Sequence, residues 1–163
     1  MTTNDQIIKN VVLRAPRERV WKAISEADRF GTWFGVDFDG PFESGKRATG
    51  RITPTKMDAA IAKSQEPFEG RAFDIVVERI EPMSHFSFRW HPAAIDECVD
   101  YSDEPTTLVT FELEDHDDGT HLTITESGFD AVPLERRAKA FEMNRGGWEA
   151  QAQLIAAYVH QAA

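Results

Sequence analysis

Glu126 and Arg145 stand where the surrounding pattern calls for apolar side chains. In the run THLTITES, alternation puts Glu126 on the same face as Leu122 and Ile124. A carboxylate on an inward face is costly unless it is paired or hydrogen-bonded. Arg145 falls four residues after Phe141 in the last helical stripe, and Gly146 and Gly147 follow it directly. The two charges form a candidate pair. Two alternatives stay open: Glu126 lies past the core edge in water, or Arg145 snorkels to the helix edge with its methylenes over Phe141. Facing a cavity, the pair would orient a ligand. In an enzyme, Glu126 is the candidate general acid or base and Arg145 would polarise a carbonyl.

Other catalytic constellations are weak. None of the five histidines shows the His-x-x-x-His spacing of a zinc site, so no metal and no cofactor is expected. His85 and His91 share the outward parity of one strand but lie too far apart along it to clasp one ion, and His116 and His121 flank a turn. Cys98 is the single cysteine and sits in an acidic loop, where nothing lowers a thiol pKa. Ser127-Gly128 ends a strand without the flanking pattern of a nucleophile elbow. No catalytic residue is assigned beyond the candidate Glu126.

The elements that position these residues can be read in order. Residues 6–13 form a first strand, and Pro16 opens a short helix through Val20, Trp21 and Ile24. Residues 26–33 form a second short helix, ended by Gly31 or Gly35. Strands are expected at 36–42 and 46–53 around a Glu43-Ser44-Gly45 turn, then at 71–80 and 84–91 around Glu81-Pro82-Met83. Between these pairs, residues 54–70 are longer than a hairpin needs; they have room for a helical turn and suit a mobile lid. Residues 107–113 and 121–127 alternate around Asp117-Asp118-Gly119, with Val109, Phe111 and Leu113 inward. A long helix follows from Pro133 towards Val159, with Leu134, Ala138, Phe141, Trp148, Ala152, Ile155 and Val159 as its stripe. The mid-helix pair Gly146-Gly147 costs about 1 kcal/mol per residue relative to alanine, which predicts a bend or a close approach to the sheet. One α+β domain over residues 1–163 accounts for all of this: a seven-stranded antiparallel sheet wrapped around a long C-terminal helix, with two short helices after strand 1.

Composition narrows the partners. Eleven Phe and four Trp against two Tyr favour dry aromatic walls, since a Tyr hydroxyl demands a partner when buried. A net charge of −10 without a basic stripe argues against nucleic acid and anionic membranes. No run approaches the ~20 apolar residues of a membrane span, and the polar N-terminus does not read as a signal peptide, so a cytoplasmic location is expected.

The segments VVLRAPRERVWKAISEADRFGTWF, FSFRWHP, LVTFELE, THLTITESGF and GGWEAQAQLIAAYV, in this order and spacing, resemble the START-like, birch-pollen-allergen-like superfamily (SRPBCC). Within it the chain resembles the group homologous to the activator of heat-shock protein 90 ATPase. The resemblance covers nearly the whole chain. It implies a helix-grip fold with a deep, mostly apolar cavity between the sheet and the last helix. It also implies membership among hydrophobic-ligand carriers, polyketide cyclases and dehydratases, or chaperone-ATPase regulators.

The expected function is therefore binding of a small hydrophobic molecule, one bearing an anionic or hydroxyl group, in a role connected with stress response. A cyclase or dehydratase is the alternative, as is a chaperone regulator with a chaperone as its partner; the chain would be a monomer or homodimer. Trp33, Phe38, Phe73 and Phe88 on the first half, and Trp90, Phe111, Phe141 and Trp148 on the second, would form the wall or else plain core packing. Glu126 and Arg145 would fix the ligand's orientation.

Overall fold

A computed structural model of the protein describes residues 5–93 and 100–161. Cys98 and the loop acids Asp96 and Glu97 lie outside the described residues. Seven strands form one antiparallel sheet in the order β1-β7-β6-β5-β4-β3-β2. They are β1 (Gln6–Leu13), β2 (Val36–Phe38), β3 (Arg47–Ile52), β4 (Ala72–Glu81), β5 (His85–Trp90), β6 (Thr107–His116) and β7 (Gly119–Ser127). Helices α1 (Arg17–Ser25) and α2 (Ala27–Phe34) follow β1, α3 (Ala59–Gln65) lies between β3 and β4, and α4 (Leu134–Gln161) closes the chain. This is the helix-grip architecture expected of the sequence.

Alternation dictates which side chains meet. On β6, Thr107, Val109, Phe111 and Leu113 are buried, and on β7 so are Thr120, Leu122, Ile124 and Glu126. These rows face α4, which buries Ala140, Trp148, Ala152, Leu154, Ile155 and Val159. Each large apolar side chain removed from water in this way contributes about 1.5–3 kcal/mol before the entropy of ordering it. The outer sheet face carries charged residues, with Ile8 and Val12 of β1 exposed among them.

Three expectations are corrected. Strand β2 stops at Phe38 rather than reaching residue 42. Pro41 has no N–H to give the ladder, and the chain leaves the edge so that Phe42 can stack on Phe86, with centroids 5.2 Å apart. The stripe of α4 is out of phase at its start, because Leu134 is 75% exposed while Ala140 is buried. Gly146 and Gly147 neither interrupt α4 nor approach the sheet, since a Cβ on either would meet nothing within 4 Å.

Two other glycines are structurally required. A Cβ on Gly31 would sit 2.0 Å from the Val36 carbonyl oxygen, so α2 could not pack on its own exit strand. Gly35 caps α2 at φ +101° and leaves room for the side chain of Gln65. Because Gly146 and Gly147 are exposed, helical and unobstructed, alanine at each position should stabilise the fold by about 1 kcal/mol. Urea unfolding of the two single variants and the double variant will measure it; no gain in midpoint would mean these glycines serve something other than helix geometry.

Candidate functional site

Glu126 lies on the inward face of β7, opposite Ile7 of β1 and Val109 of β6, and is fully buried. Four neutral side chains donate hydrogen bonds to it. Trp90 Nε1 donates to Oε2 at 2.8 Å and Thr107 Oγ1 to the same oxygen at 2.5 Å. Trp148 Nε1 donates to Oε1 at 2.8 Å, and Asn144 Nδ2 reaches both oxygens at 3.0 Å. Trp90 and Thr107 face each other on β5 and β6, and Asn144 and Trp148 are one helical turn apart on α4. A carboxylate has about four lone-pair sites, and here all are used.

The sequence-derived partnership of Glu126 with Arg145 is therefore incorrect. Arg145 points away from the sheet and pairs with Glu142 at 2.5 Å, both side chains more than half exposed. The reason is phase: from Phe141 a step of three, not four, reaches the inward face, and it lands on Asn144, from which a step of four reaches Trp148.

The aromatic candidates divide. Trp90 and Trp148 stack at 5.6 Å and 28° with both indole N–H groups on Glu126. Phe73 meets Trp90 edge-on at 5.8 Å, and Phe38 meets Phe73 at 6.2 Å. Trp90, Phe73 and Phe38 are only partly buried, whereas Trp33, Phe88 and Phe111 are fully buried behind them. Trp33 also donates its N–H to the Ala23 carbonyl, as a core indole must. Phe141 packs on Phe129 at 5.2 Å, apart from the tryptophan stack. Thr107, Asn144 and the α2 residue Phe34, whose ring contacts Phe73, Trp90 and Trp148, complete the cluster without having been singled out in the sequence. Thr107 was readable from the parity of β6, two residues before Val109.

The 54–70 segment reaches the Phe34 end of this cluster, where Gln65 meets the Phe34 carbonyl. Gly70 N donates to the Ile52 carbonyl and Ile52 N to that of Arg71, which clasps the two ends of the segment together. Helix α3 within it buries none of its residues, Met57 and Ile61 lean on the core, and Thr55 is buried. Gln65 ties it down by donating to the Phe34 carbonyl at 3.2 Å, and braces it internally by accepting from Thr55 N at 2.7 Å.

On the opposite, outer face of the sheet a hollow of about 350 Å³ is lined by Arg79, Glu81, His85, Glu112 and Glu114, among others. Within it Arg79 and Glu81 form an ion pair. Desolvation lowers the His85 pKa, and Arg79 adds to the effect while Glu112 opposes it. Among the described residues, no group of three His, Cys, Asp or Glu side chains could hold a metal, and no helix is long and apolar enough to cross a membrane.

Comparison with known proteins places this geometry. The sequence model of the family described as "Activator of Hsp90 ATPase homolog 1-like protein" matches residues 14–160. No curated protein matches the chain. Among solved structures, the protein MLL2253 from Mesorhizobium loti is similar with a TM-score of 0.70 at 20% identity, covering 97% of this chain and 98% of that one. A solution structure of a protein from Arthrobacter aurescens has a TM-score of 0.72 at 20% identity, with 97% and 87% covered. DynU16, a protein of the dynemicin biosynthetic locus, has a TM-score of 0.66 at 23% identity over 96% of this chain and 47% of its own. At these identities the likeness is one of fold.

Two outcomes follow from the geometry. Glu126→Gln replaces one acceptor oxygen with an NH2 donor that faces the existing donors, and it should cost about 2–4 kcal/mol because buried N–H groups lose their partner. Arg145→Ala should change stability by less than about 0.5 kcal/mol, as exposed pairs do. Urea midpoints of both variants decide it, and equal losses would restore the Arg145 partnership.

The histidine sets a pH dependence. An unfolded His85 takes up a proton near its ordinary value of about 6.5, while the folded one resists it, so the unfolded state binds more protons and stability falls as pH drops below that value. His85→Gln should reduce the difference in urea midpoint between pH 7.5 and 5.5; an unchanged difference would show that the folded imidazole titrates normally.

Proposed function

The chain belongs to the family of activator of Hsp90 ATPase homolog 1-like proteins, and on that premise we propose that it binds a small hydrophobic molecule between the sheet and α4, beneath the 54–70 segment. The observation that carries this reading is the Trp90–Trp148 stack. Glu126 fixes both rings, yet Trp90 is left partly uncovered beside Phe73 and Phe38. Small-molecule sites are mostly apolar, with a few polar groups that fix orientation. A rigid indole face at the margin of a packed core, under a segment that buries little of itself, has that character.

In this reading Glu126 is a positioning residue. It holds the wall in place while Trp90, Phe73 and Phe38 make contact. Trp33, Phe88 and Phe111 support the wall from behind, Phe141 bounds the far end, and Arg145 takes no part. The 54–70 segment acts as the lid, since opening it sacrifices few buried contacts.

A cyclase or dehydratase would need Glu126 to exchange a proton with substrate. Its oxygens are already engaged by four donors, which favours binding over catalysis. Regulation of a chaperone ATPase would instead use the acidic exterior, and a salt-sensitive pull-down of a chaperone is its test.

Native mass spectrometry of the purified protein, followed by denaturing extraction, should reveal an apolar molecule travelling with the chain. Titration with naphthalene, read by tryptophan fluorescence, should saturate. Trp90→Ala should weaken it about tenfold or more through loss of aromatic contact, while Arg145→Ala should leave it within about twofold. A chain that carries nothing and shows no saturable response to apolar probes would sink the binding reading.

A further inference from the structure

Gln151 lies on the inward face of α4, seven residues after Asn144 and three after Trp148. Its Nε2 donates to the Phe34 carbonyl at 3.2 Å, the same oxygen that receives Gln65 from the lid. That contact fixes which way the amide is turned, because the reverse orientation would oppose two carbonyl oxygens. Its Oε1 is thereby directed inward, where it is buried, and among the described residues no donor reaches it. Buried acceptors are seldom left in this state, so each such atom needs an explanation.

The surroundings supply one. Phe34 is bracketed by Gln151 on its carbonyl and by Trp148 on its ring, with Phe73 and Trp90 touching the same ring. The unpaired acceptor therefore sits one helical turn from the tryptophan stack, at the junction of α2, α4 and the lid. The other polar group of this region, Glu126, has its oxygens engaged.

We propose that Gln151 Oε1 accepts a hydrogen bond from a hydroxyl or N–H group of the bound molecule, and so selects neutral, donor-bearing apolar ligands over anions. The proposal rests on the binding reading above and narrows its ligand class. An anionic group would bring a second negative oxygen against Oε1, and Arg145, the cation expected to meet it, faces solvent. A plain hydrocarbon would fit the aromatic wall but leave the acceptor unpaired. An alcohol, phenol or amide N–H would satisfy it.

The test compares 1-naphthol, naphthalene and 1-naphthoate on the full chain at pH 7, where a phenol-type hydroxyl keeps its proton, by tryptophan fluorescence titration. Desolvation of the hydroxyl disfavours 1-naphthol unless a partner meets it, so a preference for it reports a hydrogen bond. The expected result is 1-naphthol binding about fivefold or more tighter than either of the others. In Gln151→Met that preference should vanish while naphthalene affinity persists. Equal affinities for naphthalene and 1-naphthol in the unmodified protein, or a preference that survives Gln151→Met, overturns the role of Gln151 and leaves the binding reading standing. Binding of none of the three overturns both. Should Gln151→Met fail to fold, Gln151→Ala takes its place and is read by the same ratio.

Discussion

A single buried carboxylate, hydrogen-bonded by four neutral side chains, joins the sheet of this protein to its long helix. Two of the donors rise from β5 and β6 and two descend from α4, so Glu126 on β7 is where three strands and the helix are held in register. Taking a charge out of water is expensive, and hydrogen bonds to a charged group are among the few interactions strong enough to offset it. The donors matter as much as the acceptor. An indole carries one N–H in the plane of its ring, so directing two of them at one carboxylate orients both rings. The near-parallel stack of Trp90 and Trp148 is a consequence of that constraint.

From this fixed point the packing grades outward. Trp33, Phe88 and Phe111 lie behind the stack without exposure, and the β6 and β7 rows press against α4 below it. Above the stack the packing thins: Phe73 and Phe38 are partly covered, and the 54–70 segment is held mainly by Gln65 and the clasp at Ile52. A region with few buried contacts and localised hydrogen bonds opens at lower free energy than the core it covers. The dense packing behind the stack and the sparse packing of the 54–70 segment follow from the same distribution of apolar side chains.

Much of this was legible in the sequence, and the failures have specific causes. Strict alternation on β6 and β7 revealed both strands and the inward Glu126, because a period of two leaves no choice of face. The partners of Glu126 were hidden because indoles are counted as apolar and their single N–H goes unnoticed. On α4 the period of 3.6 lets either of two adjacent positions follow Phe141. The charge of Arg145 drew attention to the wrong one, while the amide of Asn144 occupied the face. Gln151 is hidden for the same reason, since the neighbouring Ala152 fits an apolar stripe better. Pro41 was the signal that β2 would end early, and the paired glycines of α4 carried no structural meaning at all.

The arrangement also bears on which molecules the interior tolerates. Its principal polar group is negative and internally satisfied, the Arg145 guanidinium lies on the outer side of α4, and the chain as a whole carries a charge of −10. An anion approaching such a surface is repelled within a Debye length, and the donors already gathered on Glu126 are all neutral. Neutral guests avoid that repulsion. With Glu126 engaged in its own hydrogen bonds, the proposed binding leaves discrimination among them to the shape of the aromatic wall and to the acceptor on Gln151. A carboxylate buried among aromatic side chains therefore serves here as scaffold, and in the proposed site the recognition of ligand passes to groups that a count of charges would overlook.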